Sequence, residues 1–224
     1  MVALVFPALP TVTLPVTGRA ERFPVRRIFC VGRNYAEHAR EMGGDDKEPP
    51  FFFTKPADAI VESGSRIPYP PATTNLHHEG ELVLAIGKSG AMVAEADAPA
   101  LIWGHACGND LTRRDLQAEA KASRRPWDMA KGFDKSAVVG AIRPGAMPDA
   151  TLRCTVNGAL RQEVRLSDMI WSPAAIIAAL SQLVSLSPGD LIFTGTPAGV
   201  GPLTRGDTCK VEIDGLQSAS VTIA

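Results

Sequence analysis

Short apolar runs, each ended by glycine, proline or charged residues, recur along the chain. Runs of this kind occupy residues 27–32, 51–56, 82–87 and 191–194. Their short length and their content of Val, Ile and Phe are typical of buried β-strands rather than of helices. The pattern therefore predicts a core built mainly from strands.

Two turn signals in the last third of the chain predict β-hairpins. Asn157-Gly158 separates the strand-like segments 152–156 and 160–164, and Asp214-Gly215 lies inside a second such pair. Both dipeptides accept the positive φ angles that two-residue hairpin turns require. We expect antiparallel strands on either side of each turn.

Helices are predicted where apolar residues follow a capping residue or a turn. The predicted helices span residues 35–42, 94–103, 112–121 and 173–184. Thr112 is the expected N-cap of the third, and Ser172 followed by Pro173 marks the start of the fourth. With few helices among many strands, the expected fold class is α+β and β-rich.

Composition and charge limit the class of protein. Of the 224 residues, 45% are hydrophobic and 21% are charged, which is ordinary for a soluble globular protein. We expect a proline-punctuated N-terminal leader, residues 1–22, packed on a single domain, residues 23–224. A formal net charge of −1 without a basic stripe argues against nucleic acid as a partner. No apolar run approaches the roughly eighteen residues of a membrane span, and the N-terminus lacks the basic start of a signal peptide, so a cytoplasmic location is expected.

Three acidic residues are the strongest candidates for chemistry. Glu79 and Glu81 open an apolar run one residue apart, so on a strand both side chains point to one face. Carboxylates held side by side need a cation, a shared proton or bulk water. Asp110 follows another apolar run and could complete three oxygen ligands for a hard divalent ion. The alternative is a solvated strand edge with an unrelated turn aspartate, but the apolar strand after the glutamates favours the metal site.

His38 and Glu41 lie three residues apart on the first predicted helix and share one of its faces. The pair is either an ordinary surface contact or a general base, in which the carboxylate fixes the imidazole tautomer and raises its basicity. The sequence leaves both interpretations open. The polar, turn-rich residues 36–50 around the pair predict a mobile lid.

The glycine- and proline-rich segment 195–202 predicts an irregular loop. It lacks the spacing of nucleotide-binding motifs, so it is either a plain turn or a loop that lines a substrate site. His77 and His78 point to opposite faces of a strand and lack zinc-ligand spacing, so we expect them to pack around the acidic residues. The four cysteines are far apart, which favours buried packing over a zinc site or a disulfide scaffold.

Six segments taken together resemble the fumarylacetoacetate hydrolase family. They are Cys30-Val31-Gly32-Arg33-Asn34-Tyr35-Ala36-Glu37-His38, Phe53-Thr54-Lys55-Pro56, Asn75-Leu76-His77-His78-Glu79-Gly80-Glu81-Leu82, Asn109-Asp110-Leu111-Thr112, Ala130-Lys131-Gly132-Phe133 and Gly195-Thr196-Pro197-Ala198-Gly199-Val200-Gly201. The resemblance implies a mixed β-sandwich roll of the family's C-terminal domain type, with residues 23–224 as one catalytic domain, and a homodimer. One departure is the small Gly80 between the glutamates, where many relatives carry a larger apolar residue.

The resemblance also implies roles for individual residues. One Mg²⁺ or Mn²⁺ ion per subunit would be held by Glu79, Glu81 and Asp110. The implied catalytic residues, with the first two as a dyad on the lid, are His38, Glu41, Lys131 and Gln117. The implied substrate contacts are Arg33, Lys55, Arg114 and Thr196.

The implied activity is metal-dependent hydrolysis of a C–C bond in a 2,4-dioxo acid, a small-molecule substrate. Residues 26–41 and 49–53 are most similar to bacterial fumarylpyruvate hydrolases of gentisate breakdown, which release fumarate and pyruvate. Oxaloacetate decarboxylases and dioic-acid isomerases of the same family are the alternative enzymes, because the same metal chemistry serves them. A metal-stabilised binding protein is the alternative without catalysis.

Overall fold

The computed structural model describes residues 3–41, 49–147 and 149–224, without the side chains of Ala39 and Glu41. Strands dominate these ranges, which confirms the β-rich α+β prediction. None of the helices within them has the length and the apolar character that crossing a bilayer requires.

The regular elements of the described residues are mostly short. The helices are α1 (Ala36–Glu41), α2 (Arg114–Ala122), α3 (Asp128–Lys131) and α4 (Pro173–Leu183). Single 3₁₀ turns lie at Ala57–Ala59, Ala98–Leu101 and Leu166–Asp168. The strands are β1 (Thr13–Leu14), β2 (Phe23–Pro24), β3 (Arg27–Gly32), β4 (Phe51–Lys55), β5 (Ile60–Glu62), β6 (Ser65–Ile67), β7 (Leu76–His78), β8 (Gly80–Ile86), β9 (Ile102–Asp110), β10 (Thr112–Arg113), β11 (Ala137–Val139), β12 (Arg143–Pro144), β13 (Thr151–Val156), β14 (Ala159–Arg165), β15 (Asp190–Phe193), β16 (Gly201–Leu203), β17 (Thr208–Ile213) and β18 (Ala219–Ile223).

Two large sheets form the body of the fold. The larger has the order β4-β3-β15-β8-β9-β11-β5, with β12 beside β9, and the smaller has the order β14-β13-β17-β18-β6. The larger sheet is mixed, because β15 pairs in parallel with β3 and antiparallel with β8. A three-stranded sheet, β10-β7-β16, and the pair β1-β2 complete the topology. The arrangement is the mixed β-sandwich that the family resemblance implies.

Both faces of β8 are buried, and each faces a different hydrophobic core. Leu82 and Leu84 pack in the core that includes Val211 of the smaller sheet. Val83 packs in the second core, which also contains Leu14 from the N-terminal residues. The sequence of a strand that is covered on both faces is one continuous apolar run. Because β8 is packed on both sides, the acidic residues at its start are held in place.

Several predicted elements are confirmed with close boundaries. The hairpin at Asn157-Gly158 joins β13 and β14, and both turn residues have positive φ angles, 52° and 80°. Asp214-Gly215 lies between the antiparallel strands β17 and β18. Helix α4 starts as expected, since the Ser172 hydroxyl accepts a hydrogen bond of 3.1 Å from the Ala175 amide.

The predicted helix over residues 94–103 is wrong. Ala98–Leu101 forms a 3₁₀ turn around Pro99, and Ile102 already begins β9. Hydrogen bonds between β9 and β8 satisfy the backbone N–H and C=O groups of β9, which would otherwise bond within a helix. The expected N-cap at Thr112 is also wrong, because Thr112 belongs to β10, its hydroxyl donates to the Asp110 carbonyl, and α2 begins at Arg114.

Candidate active site

Three carboxylates converge where β8 and β9 meet. Glu79 lies between β7 and β8, Glu81 lies on β8, and Asp110 ends β9. The register pairs Gly80 with Asn109, and the Asp110 amide donates to the Glu79 carbonyl over 2.8 Å. All three side chains are buried, and each offers an oxygen within 4.8 Å of the other two. The structure thus brings together the three residues that the sequence singles out as metal ligands.

Three cations surround these acids. The Lys131 ammonium donates to Glu79 Oε2 over 2.6 Å and to Asp110 Oδ2 over 2.7 Å. Arg114 donates to Glu79 Oε1. Lys55 Nζ lies 2.7 Å from Asp110 Oδ1. The family resemblance implies that Lys55 contacts the substrate, but its side chain is buried behind the acids and does not line the pocket.

One oxygen of the cluster has no hydrogen-bond donor among the described residues. Asp110 Oδ1 lies within ion-pair distance of Lys55, but the ammonium is not aligned to donate to it. Lys55 instead donates to the carbonyls of Leu111 and Lys131. Three buried carboxylates that converge are nevertheless the oxygen ligands that Mg²⁺ and Mn²⁺ prefer.

Burial and neighbouring charges shift the pKa values of Glu79 and Glu81 in opposite directions. Burial raises the pKa of Glu81 well above its ordinary value, and the Asp110 and Glu79 carboxylates act in the same direction. Burial acts on Glu79 in the same way, but the Lys131 and Arg114 cations outweigh it and hold the pKa of Glu79 below its ordinary value. Ionisation of all three acids together therefore needs further positive charge, which a divalent ion supplies. The residues fit such an ion.

The loop after β15 contacts the acidic centre, and its residue Thr196 lines the pocket. The Gly195 amide donates to Glu81 Oε2 over 2.7 Å, and the Thr196 hydroxyl donates to the Gly80 carbonyl over 2.9 Å. Gly195 has a φ of +97°, and a Cβ there would lie 2.7 Å from the Asn34 Cβ. Glycine is therefore required where the loop passes α1.

The same close approach positions the helix that carries His38. The Asn34 amide group donates to the Thr194 carbonyl over 2.8 Å, and its oxygen accepts from the Trp171 amide over 2.7 Å. These contacts fix the start of α1 beside the loop. His38 is buried and lines the pocket above the acids. The side chain of Glu41 and residues 42–48 of the predicted lid lie outside the described residues.

Most of the predicted site residues line one pocket. Among them are Arg33, His38, Glu79, Glu81, Arg114, Gln117, Lys131 and Thr196. Gln117 is buried, and its oxygen accepts from Arg114 Nη1 over 2.6 Å. Asp110 and Lys55 lie beneath this surface.

His77 holds Arg114 from the other side. Its Nδ1 accepts from Arg114 Nε over 3.3 Å, and its Nε2 lies 2.9 Å from the Asn75 oxygen. Burial, with the Arg114 charge, lowers the pKa of His77 to about 4, so the ring is neutral and can accept. His77 therefore packs beside the acidic residues, as the sequence predicts, and it also orients Arg114.

His78 points the other way, toward two thiols under the acids. Its Nδ1 lies 3.6 Å from Cys154 Sγ, which lies 3.5 Å from Cys209 Sγ. The contact with Cys209, with burial, raises the pKa of the Cys154 thiol. All four cysteines are buried free thiols, in agreement with their predicted role in packing.

Gln162 is a buried residue of the site that sequence reasoning missed. Its oxygen accepts from the Gly80 amide over 3.0 Å. Its nitrogen donates to the Thr196 hydroxyl and to the Pro197 carbonyl, each over 2.8 Å. The side chain therefore joins the acidic strand to the loop. A Cβ on Gly80 would lie 3.3 Å from Gln162 Oε1 and 3.2 Å from Cys154 Cβ, which accounts for the small residue between the glutamates.

An aromatic wall with two cations forms another part of the pocket. The rings of Phe51 and Trp127 meet edge to face, with centroids 5.3 Å apart. Arg33 Cζ lies 5.8 Å from the Phe51 centroid, and Lys121 Nζ lies 5.1 Å from the Trp127 centroid. Lys121 was not predicted, because nothing in its sequence context distinguishes it from a solvated helix lysine.

Comparison with known families gives one match over nearly the whole chain. The sequence profile described as the fumarylacetoacetate (FAA) hydrolase C-terminal matches residues 27–224. A fumarylpyruvate hydrolase from Ralstonia sp is 44% identical over 179 residues, which cover 79% of this chain and 93% of that protein. A mitochondrial oxaloacetate tautomerase of Mus musculus is 43% identical over 197 residues, covering 86% of this chain and 89% of that protein.

A solved structure shows the same fold. The fumarylpyruvate hydrolase from Pseudomonas aeruginosa, in complex with Mn²⁺ and pyruvate, is 45% identical and has a TM-score of 0.96. The alignment covers 99% of each chain. The likeness therefore includes every strand that carries a site residue.

Proposed function

The chain belongs to the fumarylacetoacetate hydrolase family, a family of enzymes acting on C–C bonds, and we propose that it hydrolyses fumarylpyruvate to fumarate and pyruvate with one Mg²⁺ or Mn²⁺ ion. The observation that carries the proposal is the buried set Glu79, Glu81 and Asp110 at the base of a cationic pocket. A relative that covers almost the whole chain binds Mn²⁺ and pyruvate, one of the two proposed products.

The three carboxylates would hold the metal ion. A divalent ion at this site supplies Lewis acidity toward the oxygens of a 2-oxo acid. Arg114 is oriented by His77 and Gln117, so its position beside Glu79 is fixed before a substrate arrives. Thr196 is fixed in turn by Gln162 and the Gly80 carbonyl. Arg114 has further N–H groups and can therefore orient the substrate against the acidic centre, whereas Thr196, whose one hydroxyl proton goes to the Gly80 carbonyl, fixes the loop that lines the pocket.

His38 is the proposed general base. It is buried in the pocket and would take a proton from the water that attacks the distal carbonyl. Lys131 and Gln117 would donate hydrogen bonds to the oxygen of that carbonyl as negative charge develops on it. Cleavage of the C–C bond places one proton of the water on the new methyl group of pyruvate. The other proton is released when the new carboxylic acid ionises to fumarate.

Oxaloacetate tautomerisation is a second candidate, favoured by the mouse relative. Oxaloacetate is also a 2-oxo diacid, and interconversion of its keto and enol forms moves a proton between carbon and oxygen without cleavage of a C–C bond. His38 could move that proton in the same pocket.

A product test separates these reactions. The protein with Mn²⁺ or Mg²⁺ is incubated with fumarylpyruvate or with oxaloacetate, and products are measured by chromatography and enol absorbance. We expect equimolar fumarate and pyruvate from fumarylpyruvate. Exchange between the enol and keto forms of oxaloacetate without hydrolysis of fumarylpyruvate would replace the proposal by tautomerisation, and release of carbon dioxide would replace it by decarboxylation.

A further inference from the structure

One face of α2 lines the pocket along its length. Arg114, Gln117 and Lys121 are spaced by three and four residues, so they share one side of the helix, and all three line the pocket. Arg114 contacts Glu79 at the acidic centre. Lys121 is the member of this face farthest from that contact along the helix.

The length of this face matches the proposed substrate. Lys121 is seven positions after Arg114, which is about 10 Å along a helix that rises 1.5 Å per residue. Fumarylpyruvate is a seven-carbon diacid whose terminal carboxyl carbons lie roughly 7 to 8 Å apart when it is extended, from bonds of about 1.5 Å. If one end binds at the acidic centre, the other end reaches the region of Lys121.

The charges at Lys121 favour an incoming anion. Glu79 already pairs with Arg114 and Lys131, and Asp110 pairs with Lys131. Lys121 forms no ion pair within the described ranges of the chain. Burial, with the charges of Arg114 and Arg33, lowers the pKa of Lys121 to about 8. A carboxylate would relieve this repulsion among like charges.

The aromatic wall places a second cation next to Lys121. Trp127 lies beneath Lys121 and Phe51 beneath Arg33, and the two rings touch. Arg33 has a φ of +60°, an uncommon backbone conformation for a residue other than glycine. The wall shields both cations from water on one side, which strengthens their attraction for an anion.

We propose that Lys121, assisted by Arg33, binds the distal carboxylate of the dioxo acid and makes the enzyme select dicarboxylic over monocarboxylic substrates. This inference rests on the proposed hydrolysis of a 2,4-dioxo acid and assigns a specificity role to a residue outside the acidic centre.

The test compares two substrates that differ only at the distal end. Fumarylpyruvate carries a carboxylate there, and crotonylpyruvate carries a methyl group. For Lys121→Met we expect the ratio of the two kcat/KM values to fall roughly 10- to 100-fold, because a charge-assisted hydrogen bond is lost. The change should lie mainly in KM. Lys121→Arg should restore much of the ratio, since it keeps the charge.

A control and a binding readout complete the design. Lys88 is exposed and does not line the pocket, so Lys88→Met should keep the wild-type ratio. Calorimetric titration with fumarate and crotonate measures the same preference without turnover, and circular dichroism checks folding. Lys121→Met should weaken fumarate binding and leave crotonate binding at its wild-type value.

The possible failures are distinguishable. If wild-type protein hydrolyses both dioxo acids and Lys121→Met keeps their ratio, the specificity role is wrong and the proposed function stands. If wild-type protein hydrolyses neither, the proposed function is wrong, and unchanged fumarate affinity in Lys121→Met would overturn the inference as well.

Discussion

Lys131 donates to Glu79 and Asp110 at the same time, so it fixes the separation of two of the three acids. With Lys55 on the far side of Asp110, the cluster alternates negative and positive groups. Removing one member leaves its neighbours as buried charges without a partner, which is strongly destabilising. At the residue scale, metal binding and stability are therefore coupled at Asp110.

The proposed general base can be separated from the proposed metal site. We expect His38→Gln to lower kcat by about 100- to 10,000-fold, the usual contribution of a general base, and to bind Mn²⁺ like the wild type. Steady-state kinetics and Mn²⁺ calorimetry provide the two measurements. Turnover near the wild-type rate would remove His38 from the mechanism.

Asp110→Asn should show the opposite pattern. We expect loss of Mn²⁺ affinity together with a decrease in the free energy of unfolding of about 3 to 5 kcal/mol, because Lys55 and Lys131 keep their buried charges. Calorimetry and urea denaturation measure these effects. The exposed Asp58 offers a matched control, since Asp58→Asn should change neither quantity. Unchanged Mn²⁺ binding by Asp110→Asn would exclude it as a ligand.

The residues of the acidic centre could be predicted because strand geometry puts alternate side chains on one face. Glu79 and Glu81 needed only that rule. The position of Lys55 could not be predicted, because a lysine before a proline gives no sign that its ammonium turns inward behind Asp110. Gln162 gave no sign either, since its strand reads as a polar hairpin arm and only the packing shows that it is buried.

At the scale of elements, Gln162 is the link between strand and loop. It is the one buried residue of β14 and reaches across to the start of β8 and to the loop after β15. These elements come from distant parts of the sequence, so their relative position depends on tertiary contacts.

Gln162→Leu should weaken the attachment of the loop after β15 to the start of β8. Loss of the four buried hydrogen bonds of its side chain, each worth about 1 kcal/mol, should lower the free energy of unfolding by about 2 to 4 kcal/mol. Because the loop that lines the pocket loses its contacts at Thr196 and Pro197 with Gln162, KM for the dioxo acid should also rise. Urea denaturation and kinetics measure both effects.

Helix α4 offers a matched control for that substitution. Gln182 is exposed, so Gln182→Leu should leave stability and KM close to the wild-type values. Equal stability for Gln162→Leu and wild type would mean that the buried amide does not hold the loop.

Elements that a turn or a capping residue defines could be predicted from the sequence. Elements that depend on pairing with a distant strand could not. Asn157-Gly158 fixes its hairpin within a few residues, and Ser172 with Pro173 fixes the start of α4. Residues 94–103 had acidic residues early and apolar residues late, as a helix has. Ile102 is nevertheless in a strand, because it pairs with Ile86 of β8.

At the scale of the whole molecule, stability should depend on the protonation of buried histidines. His105 lies in β9, and its Nδ1 donates to the Gly145 carbonyl over 3.1 Å. Burial lowers the pKa of His105 below its ordinary value of 6.5. As pH falls through 6.5, the unfolded chain binds the proton first. The contribution of His105 is therefore complete above this pH and is lost as pH falls toward the folded-state pKa.

His105→Gln should make the protein less sensitive to acid. We expect the decrease in unfolding free energy between pH 7 and pH 5 to shrink by up to about 1.4 kcal/mol per pH unit. Urea denaturation across this range provides the measurement. If the unfolding free energy of both proteins changes equally with pH, His105 does not take up a proton on unfolding.

The overall sandwich could be predicted from the family resemblance, since residues 27–224 match in order. The homodimer and the division at residue 23 stay predictions. The periodicity of apolar residues predicts neither the dimer nor the domain boundary. It indicates which residues are buried, but not whether the same chain or a neighbouring subunit buries them.

The parallel pairing of β15 with β3 has a consequence for biosynthesis. Asp190 and Arg27 pair across 163 residues of sequence, and β15 lies between β3 and β8 in the sheet. A ribosome that has translated only the first 180 residues has therefore released two half-sheets whose facing edges lack the strand that joins them. Such edges are sites of aggregation, so we expect the nascent chain to need protection until β15 emerges.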